Sequence, residues 1–151
     1  MALSNSVSSS STFFKPADHT GSVAMIFEAR AFEPDRPSQY GPRDVITARV
    51  IDFPTEASIT GNTPTIIESM SIDKTMIARD LKGDLDKSRQ SGVPELRVAI
   101  VTKAESSKPG QNPAWVLRPV SQAVFEKVAA WYEAREVEAK AHADAMPDFL
   151  K

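Results

Sequence analysis

The 151-residue sequence contains no cysteine, which excludes disulfides, thiolate metal centres and cysteine nucleophiles at once. Its only two histidines, His19 and His142, lie near opposite ends of the chain. Neither a histidine-built zinc site nor a Ser-His-Asp arrangement is therefore expected. No apolar run approaches the roughly 18 residues that a bilayer-crossing helix needs. The opening Met-Ala-Leu-Ser-Asn-Ser lacks the early charge and sustained apolar core of a signal peptide. A glycine-rich, phosphate-cradling loop is missing as well. So is an excess of one charge sign: residues 1–119 carry 14 basic and 14 acidic side chains, and the remainder 4 and 6. A strongly basic body would mark the whole surface for nucleic acid, whereas here any such site is a local patch. These absences place the protein in a cytoplasm.

What is present is organised around residues 94–119. Two strand-like runs there flank a loop rich in Ser, Lys, Pro, Gly and Asn. In the first run Leu96, Val98 and Ile100 fall on one face, and Arg97, Ala99, Val101 and Lys103 on the other. Trp115 and Leu117 alternate with Val116 and Arg118 in the second. The pattern predicts a hairpin with one apolar face, one basic face and a Lys-Pro-Gly tip.

Upstream, residues 1–12 form a Ser-rich tail with too little apolar surface to order itself. Phe13 and Phe14 begin an arm laid against the body. Alternation predicts strands over 22–32, 44–53 and 65–70. The Pro- and Gly-rich segment 33–43 reads as a loop carrying Arg36, Tyr40 and Arg43, and 54–63 as a polar turn. Asp73 is placed to cap a helix reaching about residue 84, with Ile77, Leu81 and Leu85 on one face. A polar linker, 87–94, leads to the hairpin. The fold class expected is mainly β: a five-stranded, OB-fold-like barrel over residues 13–119, with a helix between strands 3 and 4. The competing architecture is an α+β sandwich with the same element order. A long C-terminal helix, 120–143, follows, on which Trp131 and Tyr132 dock onto the barrel or onto a second copy. An acidic and apolar tip, 144–151, ends the chain.

Catalysis is not expected. Carboxylate pairs such as Asp84 with Asp86 sit two apart on a helix end and do not converge. No cofactor or metal is implied. Single strands are bound by a cationic groove that follows phosphates and by aromatic faces on which bases stack. The side chains suited to this are Arg49, Arg97, Lys103 and Arg118 on strands, Arg36, Tyr40, Arg43 and Lys108 in loops, and Trp115. Trp115 fits a core role equally well, and Phe32 fits either.

Three stretches carry a family resemblance: Phe14-Lys15-Pro16-Ala17-Asp18, Tyr40-Gly41-Pro42, and the run from Lys108-Pro109-Gly110-Gln111-Asn112-Pro113 through Ala114-Trp115-Val116-Leu117. Over residues 13–119 the chain resembles phage-encoded proteins, especially of actinobacterial phages, described as single-stranded-DNA-binding or DNA-binding. The resemblance implies action in DNA replication or recombination within the host cytoplasm. A phage structural or host-interaction protein, using the same barrel for protein contacts, is the alternative. The tail is similar to the acidic, aromatic-tipped ends of bacterial single-stranded-DNA-binding proteins through Asp144, Met146, Pro147 and Phe149. It departs from them in Asp148 and in the trailing Leu150-Lys151. By that similarity Met146, Pro147 and Phe149 would dock replication or recombination proteins.

Overall fold

A computed structural model describes residues 12–37, 41–104 and 114–145, with the last helix described as backbone alone beyond residue 135. Six strands build one sheet: β1 (Thr12–Phe13), β2 (Ala24–Arg36), β3 (Arg43–Phe53), β4 (Thr65–Ile72), β5 (Leu96–Lys103) and β6 (Trp115–Arg118). Their order across the sheet is β1-β4-β3-β2-β5-β6. The five long strands are antiparallel throughout, while the two-residue β1 runs parallel to β4. Among the described residues three α-helices and a short 3-10 helix (Pro16–His19) accompany them: α1 (Glu56–Thr60), α2 (Thr75–Ser91) and α3 (Gln122–Ala145). Among the described residues no helix is long and apolar enough to cross a membrane.

β2, β3 and β4 follow one another as neighbours, and α2 then carries the chain back so that β5 lies beside β2. Three consecutive strands with a fourth returned beside the first make a Greek key. The five strands form an open sheet rather than a closed barrel. Their outer members, β4 and β6, do not pair with each other among the described residues. Helix α2 lies against β2, β3 and β6 and occupies the face that closure would fold inward.

Strand alternation sends successive side chains to opposite faces, and both faces are apolar near the start of β2. Met25, Phe27, Ile46, Val50, Met70 and Ile72 pack beneath Ile77, Leu81 and Leu85 of α2. Ala24, Ile26, Ile51 and Phe53 pack beneath Ile59 of α1 and Val128 and Trp131 of α3. The result is a sheet between two helical layers.

Local chemistry sets several boundaries differently from the sequence pattern. β2 runs on through Pro34 to Arg36 because the register shifts between Glu33 and Arg36, with Asp35 at φ 51°. Such a bulge accepts a proline that regular pairing would not. Lys74, not Asp73, is the N-cap of α2, and no side chain caps it. The helix continues past Gly83 to Ser91, where Gly92, at φ 75°, donates its N–H to the Ser88 carbonyl. That left-handed glycine is a normal helix stop. The predicted polar turn at 54–63 holds α1, whose Thr55 and Ser58 cap each other reciprocally.

Candidate nucleic-acid interface

The expected basic face across Arg49, Arg97 and Arg118 is not continuous. Arg97 pairs in register with Phe27, beneath α2, whereas Arg118 pairs with Ile100 on the alternate face. Ala99 and Val101, which share the Arg97 face, are 2% exposed and belong to the α2 core. Arg97 stands at the rim of that core and grips Asp84 of α2 with both Nε (2.7 Å) and Nη2 (3.0 Å). The Asp84 hydrogen bond raises the guanidinium above its ordinary value, against the opposing effect of burial. Two parallel N–H···O contacts make this a geometrically specific ion pair. Arg97 therefore has a structural partner.

Arg49 is committed too, with Nε 2.9 Å from Glu68 across the β3–β4 ladder. Asp86, the other carboxylate of the suspected pair, faces Lys82 at 3.0 Å, so Asp84 and Asp86 serve different cations. The Lys103 ammonium lies 4.9 Å from the Trp115 ring centroid. Trp115 itself is half-buried against the α2 core. Trp115→Ala is expected to cost about 2 kcal/mol, below the 3–5 of a fully buried aromatic. A lowered urea midpoint at unchanged slope would register it. Arg118 is exposed. Tyr40, Lys108, Met146, Pro147 and Phe149 lie outside the described residues.

The structure does gather cations and aromatics at the β2–β3 hairpin end. Arg36 and Arg43 are direct cross-strand partners there. Like charges directly opposite each other cost a ladder stability, and at Arg36 the Glu33 carboxylate offsets part of that cost. The Arg36 guanidinium stands 5.7 Å from the Phe13 ring centroid and 3.4 Å from Glu33. Beside it a groove of about 560 Å³ opens between the hairpin and the first turns of α2. Arg43, Arg79 and Lys82 line it as cations, and Asp35, Asp44 and Asp73 as anions. Phe32 forms part of its wall, with the Lys82 ammonium 5.2 Å from the ring. Asp44 accepts the Asp35 backbone N–H at 3.1 Å, which ties one carboxylate into the bulge.

The sequence singles out Arg36 and Arg43 as candidates and leaves Phe32 open between core and stacking, but gives Phe13, Arg79 and Lys82 no such role. A Phe-Phe doublet in an extended segment must split between two sides, and that signal was available for Phe13. The approach of α2 to the hairpin is tertiary and leaves no local trace. Among the described residues no group of three or more His, Asp or Glu is placed to hold a metal ion. Compared with protein-family models, curated proteins and solved structures, the chain matches none.

Proposed function

We propose that this chain is a non-enzymatic single-stranded-DNA-binding protein built on an OB-fold left open, acting in phage DNA replication or recombination. The OB-fold is a five-stranded, partly open Greek-key barrel, and the strand order and the helix after the third long strand support that reading. The observation that carries the function is the hairpin end: Arg36 opposite Arg43, Phe13 beneath Arg36, and a groove lined by Phe32 and by Arg43, Arg79 and Lys82 alongside Asp35, Asp44 and Asp73. Guanidinium groups neutralise phosphates and aromatic rings stack bases, which is the combination that single strands require. In this reading Met146, Pro147 and Phe149 serve as the docking segment for replication or recombination proteins.

The competing reading is a phage structural or host-interaction module. Its support is specific: Arg49 and Arg97 are engaged by carboxylates and, as partners of the successive residues Glu28 and Phe27, face opposite sides of the sheet. Salt dependence separates the two. Two to four phosphate contacts at the hairpin end imply a log–log salt slope of about −1.4 to −2.8 for a single strand. Affinity for a labelled oligothymidylate should then fall roughly 7- to 50-fold between about 50 and 200 mM salt, with duplex of the same length bound more weakly. Failure to bind the single strand at low salt, or equal binding of duplex, would sink the proposal.

A further inference from the structure

The two neighbouring phenylalanines of the N-terminal arm have opposite fates. Phe14 is 3% exposed, and Phe13 is 53% exposed. The arm is held firmly. Thr12 and Phe13 pair with Met70 and Ser71, and the Phe14 N–H donates to the Ser71 carbonyl at 2.9 Å. The Phe14 ring meets Phe27 edge-on at 6.3 Å and stacks on His19 at 5.2 Å. His19 is in turn held by Asp52, with Nδ1 2.8 Å from Oδ2. Phe14 thus locks the arm, and the lock fixes the backbone from which Phe13 projects.

A half-exposed phenyl ring contributes little burial to the fold, yet this one projects from backbone paired with β4. Such mounting removes most of the ordering cost of binding. The ring's neighbour is chemically informative. Arg36 stands over it at 5.7 Å, and Arg43 is the cross-strand partner of Arg36. An aromatic face with a guanidinium group over it, and a second arginine across the ladder from that one, suits a nucleobase carried on a charged backbone. Among the described residues the other exposed large apolar side chains, Met76, Val93 and Phe125, belong to other parts of the chain.

Resting on the single-strand reading above, we propose that Phe13 is a base-stacking residue. One unstacked base lies on its ring while Arg36 turns from the ring to the adjoining phosphate. The assignment adds to the interface a residue from β1, an element that otherwise only flanks the sheet.

The test uses the full chain and two fluorescein-labelled probes of equal length. One is an oligothymidylate, and the other is an abasic strand keeping the sugar–phosphate backbone. Phe13→Ala and Phe13→Leu should each weaken oligothymidylate binding about 5- to 150-fold, the range for one stacked base. Both variants should bind the abasic strand as the wild type does and keep its melting temperature. Phe13→Trp should restore oligothymidylate affinity, with indole emission quenched on binding. If the wild type binds while both truncated variants bind equally well, the assignment is wrong and the functional reading stands. Equal losses on both probes, or a marked fall in melting temperature, would make Phe13 a structural residue and also overturn the assignment. A wild type that binds neither probe overturns the functional reading and this assignment with it.

Discussion

Arg97→Ala should destabilise the fold by about 3 kcal/mol while leaving the proposed interface at the hairpin end in place. The substitution strands Asp84, whose side chain is only 5% exposed, without its cation. Removing one partner of a buried ion pair costs roughly 3–5 kcal/mol, because the remaining charge stays desolvated. The low end applies here, since the Arg97 side chain is itself 35% exposed and water screens it. Replacing both partners, Asp84→Leu with Arg97→Met, should recover most of the loss, as apolar replacements of buried pairs commonly do. Denaturant midpoints of the two single variants and the double variant measure the coupling directly. The double variant also decides the role of Arg97 on the sequence-predicted interface. With the fold restored, undiminished single-strand affinity confines Arg97 to structure. A loss of tenfold or more would return it to the proposed DNA contact set.

Arg97 also shows where the sequence runs out. Alternation in residues 96–103 sorts the side chains into two faces, and that sorting is physically local. It cannot say which face a helix will cover. Ala99 and Val101 share a face with Arg97 and Lys103, so the set reads as basic until α2 is laid over it. The deciding partner, Asp84, is thirteen residues away on another element. Arg49 met Glu68 in the same way, across a ladder whose register depends on a bulge between Ala48 and Val50.

The strands themselves were legible. The expected 44–53 corresponds to Arg43–Phe53, and the order of strands and main helices follows the hydrophobic pattern. What escaped were features where one local rule overrides another. Pro34 argued for a loop, but a bulge with Asp35 in the left-handed region carries β2 past it. Gly83 argued for a helix end, but Leu85 lies buried beyond it and Gly92 supplies the stop. A helix of five residues, α1, was hidden because its capping pair is Thr55 with Ser58 rather than with a glutamate. The hairpin-end site was half legible. Arg36 and Arg43 stood out as charges around a Pro-bounded loop, while Phe32 and Lys82 meet only through the packing of α2.

Trp131→Ala should have the largest effect on stability, and its effect should be confined to the opposite end of the molecule. Trp131 is 8% exposed and sits on the stripe of α3 that also carries Val128 and Val124. Its ring meets Phe53 edge-on, with centroids 5.0 Å apart and planes at 85°. Its indole N–H donates to Asn62 Oδ1 at 2.8 Å, which ties α3 to the turn behind α1. The Arg135 guanidinium lies 5.3 Å from the same ring. Beyond Tyr132 the helix sequence is dominated by Ala, Glu and Lys, and the Lys127–Glu56 contact at 3.4 Å is between exposed side chains worth little. Trp131, with Val128, is therefore a main attachment of α3. Truncating it should cost about 3–5 kcal/mol, with a loss of helical circular dichroism that precedes unfolding of the sheet. Hydrogen exchange should quicken first in α3 and at Phe53, which it covers. Trp131→Phe keeps a six-membered ring but loses the pyrrole part of the indole and its bond to Asn62, so about 1–3 kcal/mol is expected. Arg36 and Arg43 lie at the far end of the β2–β3 ladder from Ala24 and Phe53. Single-strand affinity measured well below the melting transition should accordingly be unchanged in both variants. A Trp131→Ala protein that melts with the wild type would show that α3 is held by something other than this ring. One that keeps its fold but loses the single strand would move the binding surface to the α3 side of the sheet.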